Sequence, residues 1–256
     1  FKARYWRPMT VTDFFGGKIR LAQSATGHRA GTDALLLAAL VGASDAGAVV
    51  DAGSASGAAG LCVARRLETA HVKLIDTDAH QVELARQNIE MNGFTERVHA
   101  VQGDLFASFA EREAQGLVGE EADCVITNPP FLDESRDRIS DDHEKNRAHV
   151  MPENGLTRWL KACSALLKPK GRLHLIHRAD RLLDVLGALP SNFGAIRIMP
   201  VHARENEPAI RILVTTTKNS RAPLSIAPGF VLHEADGRFT AKAEAIHQGE
   251  GGLTAP

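Results

Sequence analysis

The residues Asn128-Pro129-Pro130-Phe131 carry groups that could orient a substrate, and they follow directly on a strand-forming run, residues 124–127. The amide of Asn128 is no general base, but it can orient a bound group through fixed dipoles. Pro129 and Pro130 fix φ and keep the segment from relaxing into a helix. The ring of Phe131 offers a face on which a base can stack. The same tetrapeptide could also do no more than end a strand.

Polar or glycine-rich residues follow three earlier strand-like runs as well. The run "AVVDAG" leads into a turn with Asp51, Gly53 and Gly57; "HVKLID" ends in Asp76 and "RVHAVQGD" ends in Asp104. Open parallel sheets bind ligands at the carboxyl ends of their strands, where such residues converge. Each feature alone could be a tight turn or a helix N-cap. Four in succession indicate a nucleotide-like cofactor site.

The glycine-rich turn does not match the motifs that bind phosphate. A dinucleotide-binding turn reads G-x-G-x-x-G, whereas from Gly53 this chain has Ala55 and Ala58 at the second and third glycine positions. A phosphate loop needs Gly-Lys-Ser/Thr, which is absent, and no lysine or arginine lies between Asp51 and Gly60. These features favour a cofactor with adenosine, no phosphate and a positive centre. S-adenosylmethionine meets that description.

Composition and charge limit the class of protein. The 256 residues are 44% hydrophobic and 24% charged, which is typical of a globular protein. No apolar run is long enough for a membrane span, and no Cys/His spacing resembles a metal site. We therefore expect a cytoplasmic protein with no metal, in which Cys62, Cys124 and Cys163 are core residues. The net charge of −1 gives no global case for nucleic-acid binding, although "FKARYWRP" and "GGKIR" concentrate basic residues near the N-terminus.

The order of elements predicts an α/β protein. Short β-branched runs alternate with helical patterns between residues 30 and 190, as in parallel β-α-β units. One predicted helix has Thr32 as its N-cap, a second begins at Asp78 and stops at Gly93, and a third ends at Pro169 and Gly171. "AIRIMPVHA" and "AIRILVTTTKN" should pair antiparallel because no helix separates them. "VLHEADGRFT" predicts a small hairpin.

Several segments together resemble the class I S-adenosylmethionine-dependent methyltransferases, over roughly residues 14–235. "VVDAGSASGAAG" is similar to their cofactor-binding turn, and "NPPF" is similar to the [ND]-P-P-[YFW] signature of the enzymes that methylate amino groups. "GHRAGTDALLLAA", "LIDTDAHQVELARQNIEMNGF" and "RAHVM" resemble the bacterial tRNA adenine-N6 methyltransferases that modify valine tRNA. The resemblance implies a Rossmann-like, mostly parallel seven-stranded sheet with a C-terminal antiparallel strand and helices on both faces.

The resemblance also implies cofactor-binding roles. The turn Asp51–Gly57 would pass under the methionine portion of the cofactor. Asp76 would accept hydrogen bonds from the ribose hydroxyls, and Asp104 would accept one from the adenine amino group. Arg29 and Thr32, with Asp33, would line the same pocket, although Thr32 could instead serve only as a helix cap.

The implied catalytic residues are those of the tetrapeptide. The side-chain oxygen of Asn128 and the carbonyl of Pro129 would accept the two protons of the target amino group, which draws its nitrogen towards tetrahedral geometry. Pro130 would stiffen the loop and Phe131 would stack on the target base. His149 would approach the substrate pocket, or be a surface residue.

Ala55 departs from the family, which usually carries glycine there. If this residue needs a positive φ, its methyl group costs on the order of 1 kcal/mol and weakens cofactor binding. A catalytically weak S-adenosylmethionine-binding protein is therefore one alternative.

The favoured function is methyl transfer to an exocyclic amino nitrogen, with adenine N6 in tRNA as the first choice. Protein glutamine and small-molecule methylation stay open. The acidic segment after Phe131, residues 133–145, would repel phosphate, so RNA should approach from the N-terminal side. We expect an N-terminal arm at 1–30, a catalytic domain at 31–235 and a C-terminal tail at 236–256, all within one structural domain. The sequence leaves the oligomeric state open.

Overall fold

A computed structural model describes residues 9–25, 29–130, 132–133, 150–151 and 154–253. In chain order the strands are β1 (Met9–Phe14), β2 (Ile19–Ser24), β3 (Ala48–Ala52), β4 (His71–Asp76), β5 (Val98–Gln102), β6 (Ala122–Thr127), β7 (Leu132–Asp133), β8 (Val150–Met151), β9 (Leu167–Arg178), β10 (Phe193–Arg204), β11 (Ala209–Lys218), β12 (Ser225–Ile226) and β13 (Phe230–His233). The α-helices are α1 (Thr32–Ala39), α2 (Ala58–Arg66), α3 (Ala79–Met91), α4 (Phe109–Ala114), α5 (Gly155–Leu166), α6 (Leu182–Ala188) and α7 (Ala241–His247), with 3-10 turns at Ala43–Asp45 and Ala179–Arg181.

A nine-stranded sheet runs through the molecule in the order β12-β10-β11-β9-β6-β3-β4-β5, with β13 also paired to β10. Strand β11 runs antiparallel to β9 and β10, whereas the other pairs of this sheet are parallel. The predicted Rossmann-like class is confirmed, including the late antiparallel strand. Two short strands extend the sheet beyond the seven predicted, because β12 and β13 add to the outer edge of β10.

Helices cover both faces of the sheet, as predicted. Helices α1, α2 and α3 pack on one face around a core that includes Leu36, Leu61 and Leu74. Helices α5 and α6 pack on the other, around Leu160 and Leu173. Apart from Asp51, Asp123 and Thr127, the residues of the central strands β3 and β6 are apolar on both faces, as is usual in buried parallel strands. The three cysteines are free and buried, as predicted.

The N-terminal part of the chain forms a hairpin that the sequence analysis did not predict. Strands β1 and β2 pair antiparallel from Met9↔Ser24 to Phe14↔Ile19. Gly16 and Gly17 have φ values of 63° and 76° in the connecting turn. Ile19 and Leu21 are fully buried, so β2 belongs to the main core.

The C-terminal part also packs on the domain. Ala243 and Ile246 of α7 are buried in the same core as α1, and the backbone N–H of Leu253 donates to the carbonyl of Ala39 at 2.7 Å. Helix α7 lies within the segment 236–256 that was expected to be a tail. The division of the chain at residues 30 and 235 stays a prediction.

Two predicted helix boundaries are wrong. Helix α1 has Gly31 as its N-cap, with no capping side chain, and Thr32 is its first residue. Helix α5 ends at Leu166, and β9 begins at the next residue, because Pro169 disfavours helical geometry in the residue before it.

The boundaries of α3 agree with the prediction. The Asp78 side chain caps α3 by accepting from the backbone N–H of His80 at 2.8 Å. Gly93, with φ of 70°, follows the C-cap. The small hairpin predicted at residues 231–240 is present: His233 and Phe239 form an antiparallel bridge, the N–H of Glu234 donates to the carbonyl of Arg238 at 2.8 Å, and the N–H of Thr240 donates to that of Leu232 at 2.9 Å. No helix in the described part of the chain has the length and apolar character that crossing a membrane requires.

Candidate active site

The glycine loop, which we define as Gly53–Gly57, connects β3 to α2 at the carboxyl edge of the sheet. The backbone N–H groups of Gly53 and Ser54 both donate to the carbonyl of Ile75 on β4, each at 2.9 Å. Gly53 and Gly57 have φ values of 74° and 87°. A Cβ at Gly57 would lie 2.6 Å from Leu74 Cδ1, so the loop needs a residue without a side chain there.

Ala55 lies at the exposed tip of the glycine loop with φ of 46°. The family usually has glycine at this position, and the backbone of Ala55 does adopt a positive φ. The methyl group of Ala55 therefore causes strain on the order of 1 kcal/mol. The backbone N–H of Ala55 donates to Asp76 Oδ2 at 2.8 Å. This hydrogen bond links the loop to the carboxylate at the end of β4.

Asp51 is a buried carboxyl group beneath the glycine loop. Its side chain is 2% exposed, and its Oδ2 accepts from the backbone N–H of Gly60 at 2.9 Å. Burial raises the pKa of Asp51 to about 7. The hydrogen bond from Gly60 lowers this pKa, and the negative charge of Asp76 raises it further. A cationic group bound nearby would favour the ionised carboxylate.

Asp76 ends β4 and is half-buried beside the loop. Besides the N–H of Ala55, it accepts from the backbone N–H of Asp78 through Oδ1 at 2.9 Å. Desolvation raises the pKa of Asp76, and the two backbone hydrogen bonds act against the rise. The structure therefore brings Asp51, Asp76 and the glycine loop together, as the sequence predicted.

Asp104 lies two residues beyond the end of β5. Its Oδ1 accepts from the backbone N–H of Phe106 at 2.7 Å, and its own N–H donates to Gln115 Oε1. The Phe106 ring lies under the guanidinium of Arg158 at 4.7 Å and meets the indole of Trp159 edge-on at 5.8 Å. These contacts fix the turn that carries Asp104.

Asn128 follows directly on β6, beside the glycine loop. Thr127 Oγ1 donates to the carbonyl of Ala52 at 2.8 Å and accepts from Trp159 Nε1 at 2.9 Å, which fixes the end of the strand. Asn128 Oδ1 is buried, and no donor in the described residues lies within hydrogen-bond distance of it. The Trp159 ring would lie 2.9 Å from a Cβ at Gly53, so this side chain packs between the two segments.

Three predicted pocket residues, Arg29, Thr32 and Asp33, lie in the segment that leads into α1 and in its first turn. Arg29 is exposed, and Thr32 Oγ1 lies 3.3 Å from His247 Nε2 on α7. Asp33 Oδ2 pairs with Arg211 Nε at 3.0 Å. The side chains of Thr32 and Asp33 thus contact C-terminal elements.

Three predicted features lie outside the described residues, and a fourth lies almost wholly outside them. Phe131, His149 and the basic residues 1–8 are outside them. Of the acidic segment 133–145, only the backbone of the first residue is described. Pro129 is buried and Pro130 is half-buried.

The sequence analysis missed two residues that hold this cluster together. Trp159 carries an indole N–H that needs a partner inside a core, which is a signal for a polar contact. Asn88 lies on the stripe of α3 that also carries Ala85 and Ile89, where a buried amide must find hydrogen bonds. Both signals are visible in the sequence, but their partners are not.

The cluster fits a cofactor with a ribose and a positive centre. It offers two carboxylates: Asp51, at the end of the strand before the loop, and Asp76, which is hydrogen-bonded to the loop at Ala55; the loop itself contains no lysine or arginine. Asn128 follows β6 as Gly53 follows the paired strand β3, and its buried Oδ1 has no hydrogen-bond partner among the described residues.

Comparison with known proteins decides the family. The family described as "Methyltransferase small domain" matches residues 24–204. This chain belongs to that methyltransferase family. Membership confirms the predicted methyltransferase and its cofactor, S-adenosylmethionine.

Relatives of this methyltransferase include enzymes named for transfer to nitrogen, as predicted. The tRNA1(Val) (adenine(37)-N6)-methyltransferase of Porphyromonas gingivalis (strain ATCC 33277) is 30% identical over 240 residues, 90% of this chain and 91% of that protein. The release factor glutamine methyltransferase of Chlorobaculum tepidum is 30% identical over 172 residues, 64% of this chain and 56% of that protein. The crystal structure of a predicted O-methyltransferase from Agrobacterium tumefaciens has a TM-score of 0.74 and 31% identity, and the match covers 87% of this chain and 99% of that one.

Proposed function

We propose that this methyltransferase transfers the methyl group of S-adenosylmethionine to the exocyclic N6 amino group of an adenine in tRNA. Its relative from Porphyromonas gingivalis, which it matches over nine-tenths of both chains, is named for that reaction. The observation that carries the proposal is the buried Oδ1 of Asn128, which follows β6 beside the glycine loop and has no hydrogen-bond partner among the described residues.

An amino substrate suits that oxygen. A buried acceptor without a partner is costly, and an N–H of a bound ligand would satisfy it. An exocyclic amino group has two N–H bonds, and Asn128 Oδ1 and the carbonyl of Pro129 are the acceptors proposed for them. When both N–H groups donate hydrogen bonds to these acceptors, the nitrogen lone pair is drawn out of conjugation with the ring and towards the methyl donor. The methylated nitrogen carries a positive charge and releases one proton to solvent; Asn128 accepts a hydrogen bond from it but does not take the proton as a base.

S-adenosylmethionine supplies an electrophilic methyl group when bound. In the proposed arrangement Asp76 accepts from the ribose hydroxyls, in charge-assisted hydrogen bonds of about 1.5–3 kcal/mol each. Asp104 accepts from the adenine amino group of the cofactor, and Asp51 lies near its amino end. The glycine loop carries the methionine portion.

The remaining predicted roles stay within the proposal. Pro130 stiffens the segment after Asn128, and Phe131 stacks on the target base. Arg29 and Thr32 are proposed to border the cofactor pocket, and His149, which lies outside the described residues, keeps the substrate-side role that the family resemblance implies. The RNA approaches from the N-terminal side of the protein, and we place this activity in the cytoplasm.

The substrate class is tested by transfer of labelled methyl from S-adenosylmethionine into total extract of a strain that lacks this protein. The proposal predicts label that ribonuclease removes and that Asn128→Ala abolishes. Label that survives ribonuclease but is lost to protease would assign a protein substrate, which the glutamine methyltransferase relative makes the second candidate. Absence of label, with cofactor binding intact, would overturn both polymer substrates.

A further inference from the structure

Asn88 of α3 and Asn92, the C-cap residue of that helix, lie one turn apart and contact the backbone of β2. Asn92 accepts from the N–H of Arg20 and donates to its carbonyl, both at 2.8 Å. Asn88 accepts from the N–H of Ala22 at 2.7 Å and donates to its carbonyl at 2.9 Å. The rise of four helical residues is about 6 Å, close to that of two strand residues, so the two amides match the strand spacing. They pair with β2 as a neighbouring strand would.

Asn88 makes one further contact that Asn92 does not. Its Nδ2 also donates to the carbonyl of Ser56, in the glycine loop, at 2.9 Å. Asn88 is fully buried and Ser56 is buried as well. The corresponding second bond of Asn92 stays within α3, to the carbonyl of Asn88 at 2.7 Å. One amide therefore joins the hairpin, α3 and the glycine loop.

The next residue of β2, Gln23, connects the hairpin to the segment before α1. Gln23 is buried, and its Oε1 accepts from the backbone N–H of Ala30 at 2.7 Å. Ala30 follows Arg29 in the segment that leads into α1. Ala22 is therefore connected to the glycine loop through the side chain of Asn88, and Gln23 is connected directly to the segment before α1.

We propose that Asn88 is a positioning residue that sets the glycine loop for the cofactor through its hydrogen bond to the Ser56 carbonyl. This inference rests on the proposed placement of S-adenosylmethionine on that loop. Without Asn88 the Ser56 carbonyl loses its buried donor, and the loop is free to adopt backbone conformations that do not fit the cofactor. Asn92 anchors the same strand without touching the loop, so it serves as the matched control.

The test measures the Kd for S-adenosylmethionine by calorimetry, and amide hydrogen exchange in the glycine loop of the cofactor-free protein. We expect Asn88→Ala to raise the Kd about tenfold and to speed exchange in the loop. Asn92→Ala should lower the Tm but leave the Kd within about twofold of wild type. Equal Kd values and equal loop exchange for the folded Asn88→Ala protein would overturn the inference.

Two further variants separate the possible failures. If Asn88→Ala does not fold, Asn88→Ser leaves a smaller cavity, and the same Kd and exchange criteria apply to it. Asp76→Ala tests the placement of the cofactor itself and should raise the Kd sharply. If Asp76→Ala binds as wild type does, the proposed placement fails; if it loses binding while both Asn88 variants keep it, only the role of Asn88 fails.

Discussion

Ala55 places a side chain in left-handed backbone geometry at the tip of the glycine loop, with φ of 46°. Replacing it by glycine removes the steric cost of the methyl group, on the order of 1 kcal/mol, although the unfolded chain gains some entropy. We expect Ala55→Gly to raise the free energy of unfolding by about 0.5 kcal/mol, measured by urea denaturation. We also expect it to tighten cofactor binding.

Ala110 provides the control for that substitution, because it is an exposed residue of α4 in ordinary helical geometry. Ala110→Gly should lower the free energy of unfolding by about 1 kcal/mol, since glycine is unfavourable within a helix. If both substitutions destabilise the protein equally, Ala55 is not strained.

Asp51 couples stability to pH. Its pKa in the folded protein is about 7 because of burial, whereas the pKa of an exposed aspartate is about 3.9. Between these values the folded protein keeps a proton that the unfolded chain has lost, so this residue's contribution to stability falls as pH rises. The free energy of unfolding of Asp51→Asn, minus that of wild type, should therefore increase by about 3–4 kcal/mol from pH 4 to pH 8.

That difference is read from urea denaturation of the cofactor-free proteins at both ends of the range. Asparagine keeps an acceptor for the N–H of Gly60, so the comparison isolates the charge. A difference that stays constant with pH would show that Asp51 titrates normally.

At the scale of elements, α7 is packed into the core. Ile246 is 2% exposed, whereas Ile226 on the edge strand β12 is 70% exposed. We expect Ile246→Ala to lower the free energy of unfolding by about 2–4 kcal/mol, because it opens a cavity between α7 and α1. Ile226→Ala should change it by no more than about 0.5 kcal/mol. Similar small effects of both, in the same denaturation experiment, would mean that the C-terminal segment is a dispensable tail.

The elements that the sequence analysis predicted are those with a local signal. Asp78 and Gly93 bound α3 as expected, because a side-chain cap and a left-handed stop act within a few residues. The hairpin β1–β2 also had a local signal, the alternation in "MTVTDF" followed by two glycines, which was not recognised. Helix α7 has seven residues and is stabilised by its packing on α1, so its own sequence indicates it only weakly.

At the scale of the whole molecule, topology explains why the candidate site was predictable. Parallel strands deliver their carboxyl ends to one edge, so Asp51, Asp76 and Asn128 lie at the ends of neighbouring strands although the first and the last are 77 positions apart in the sequence. What the sequence could not indicate are the partners of buried amides and indoles. Asn88 and Trp159 find theirs on elements far along the chain, and only the folded arrangement identifies them.

Methylation of adenine N6 in tRNA is tested by mass spectrometry of nucleosides from tRNA that lacks the modification. The tRNA is incubated with S-adenosylmethionine and wild-type protein, Asn128→Ala or Asn128→Asp, and the Kd for the cofactor is measured in parallel. We predict N6-methyladenosine with wild type, and a rate at least about 10²-fold lower for Asn128→Ala at an unchanged Kd. Asn128→Asp should keep part of the activity, because its carboxylate can still accept a hydrogen bond from the amino group. Formation of N6-methyladenosine by Asn128→Ala at the wild-type rate, or its absence from the wild-type reaction, would contradict the account.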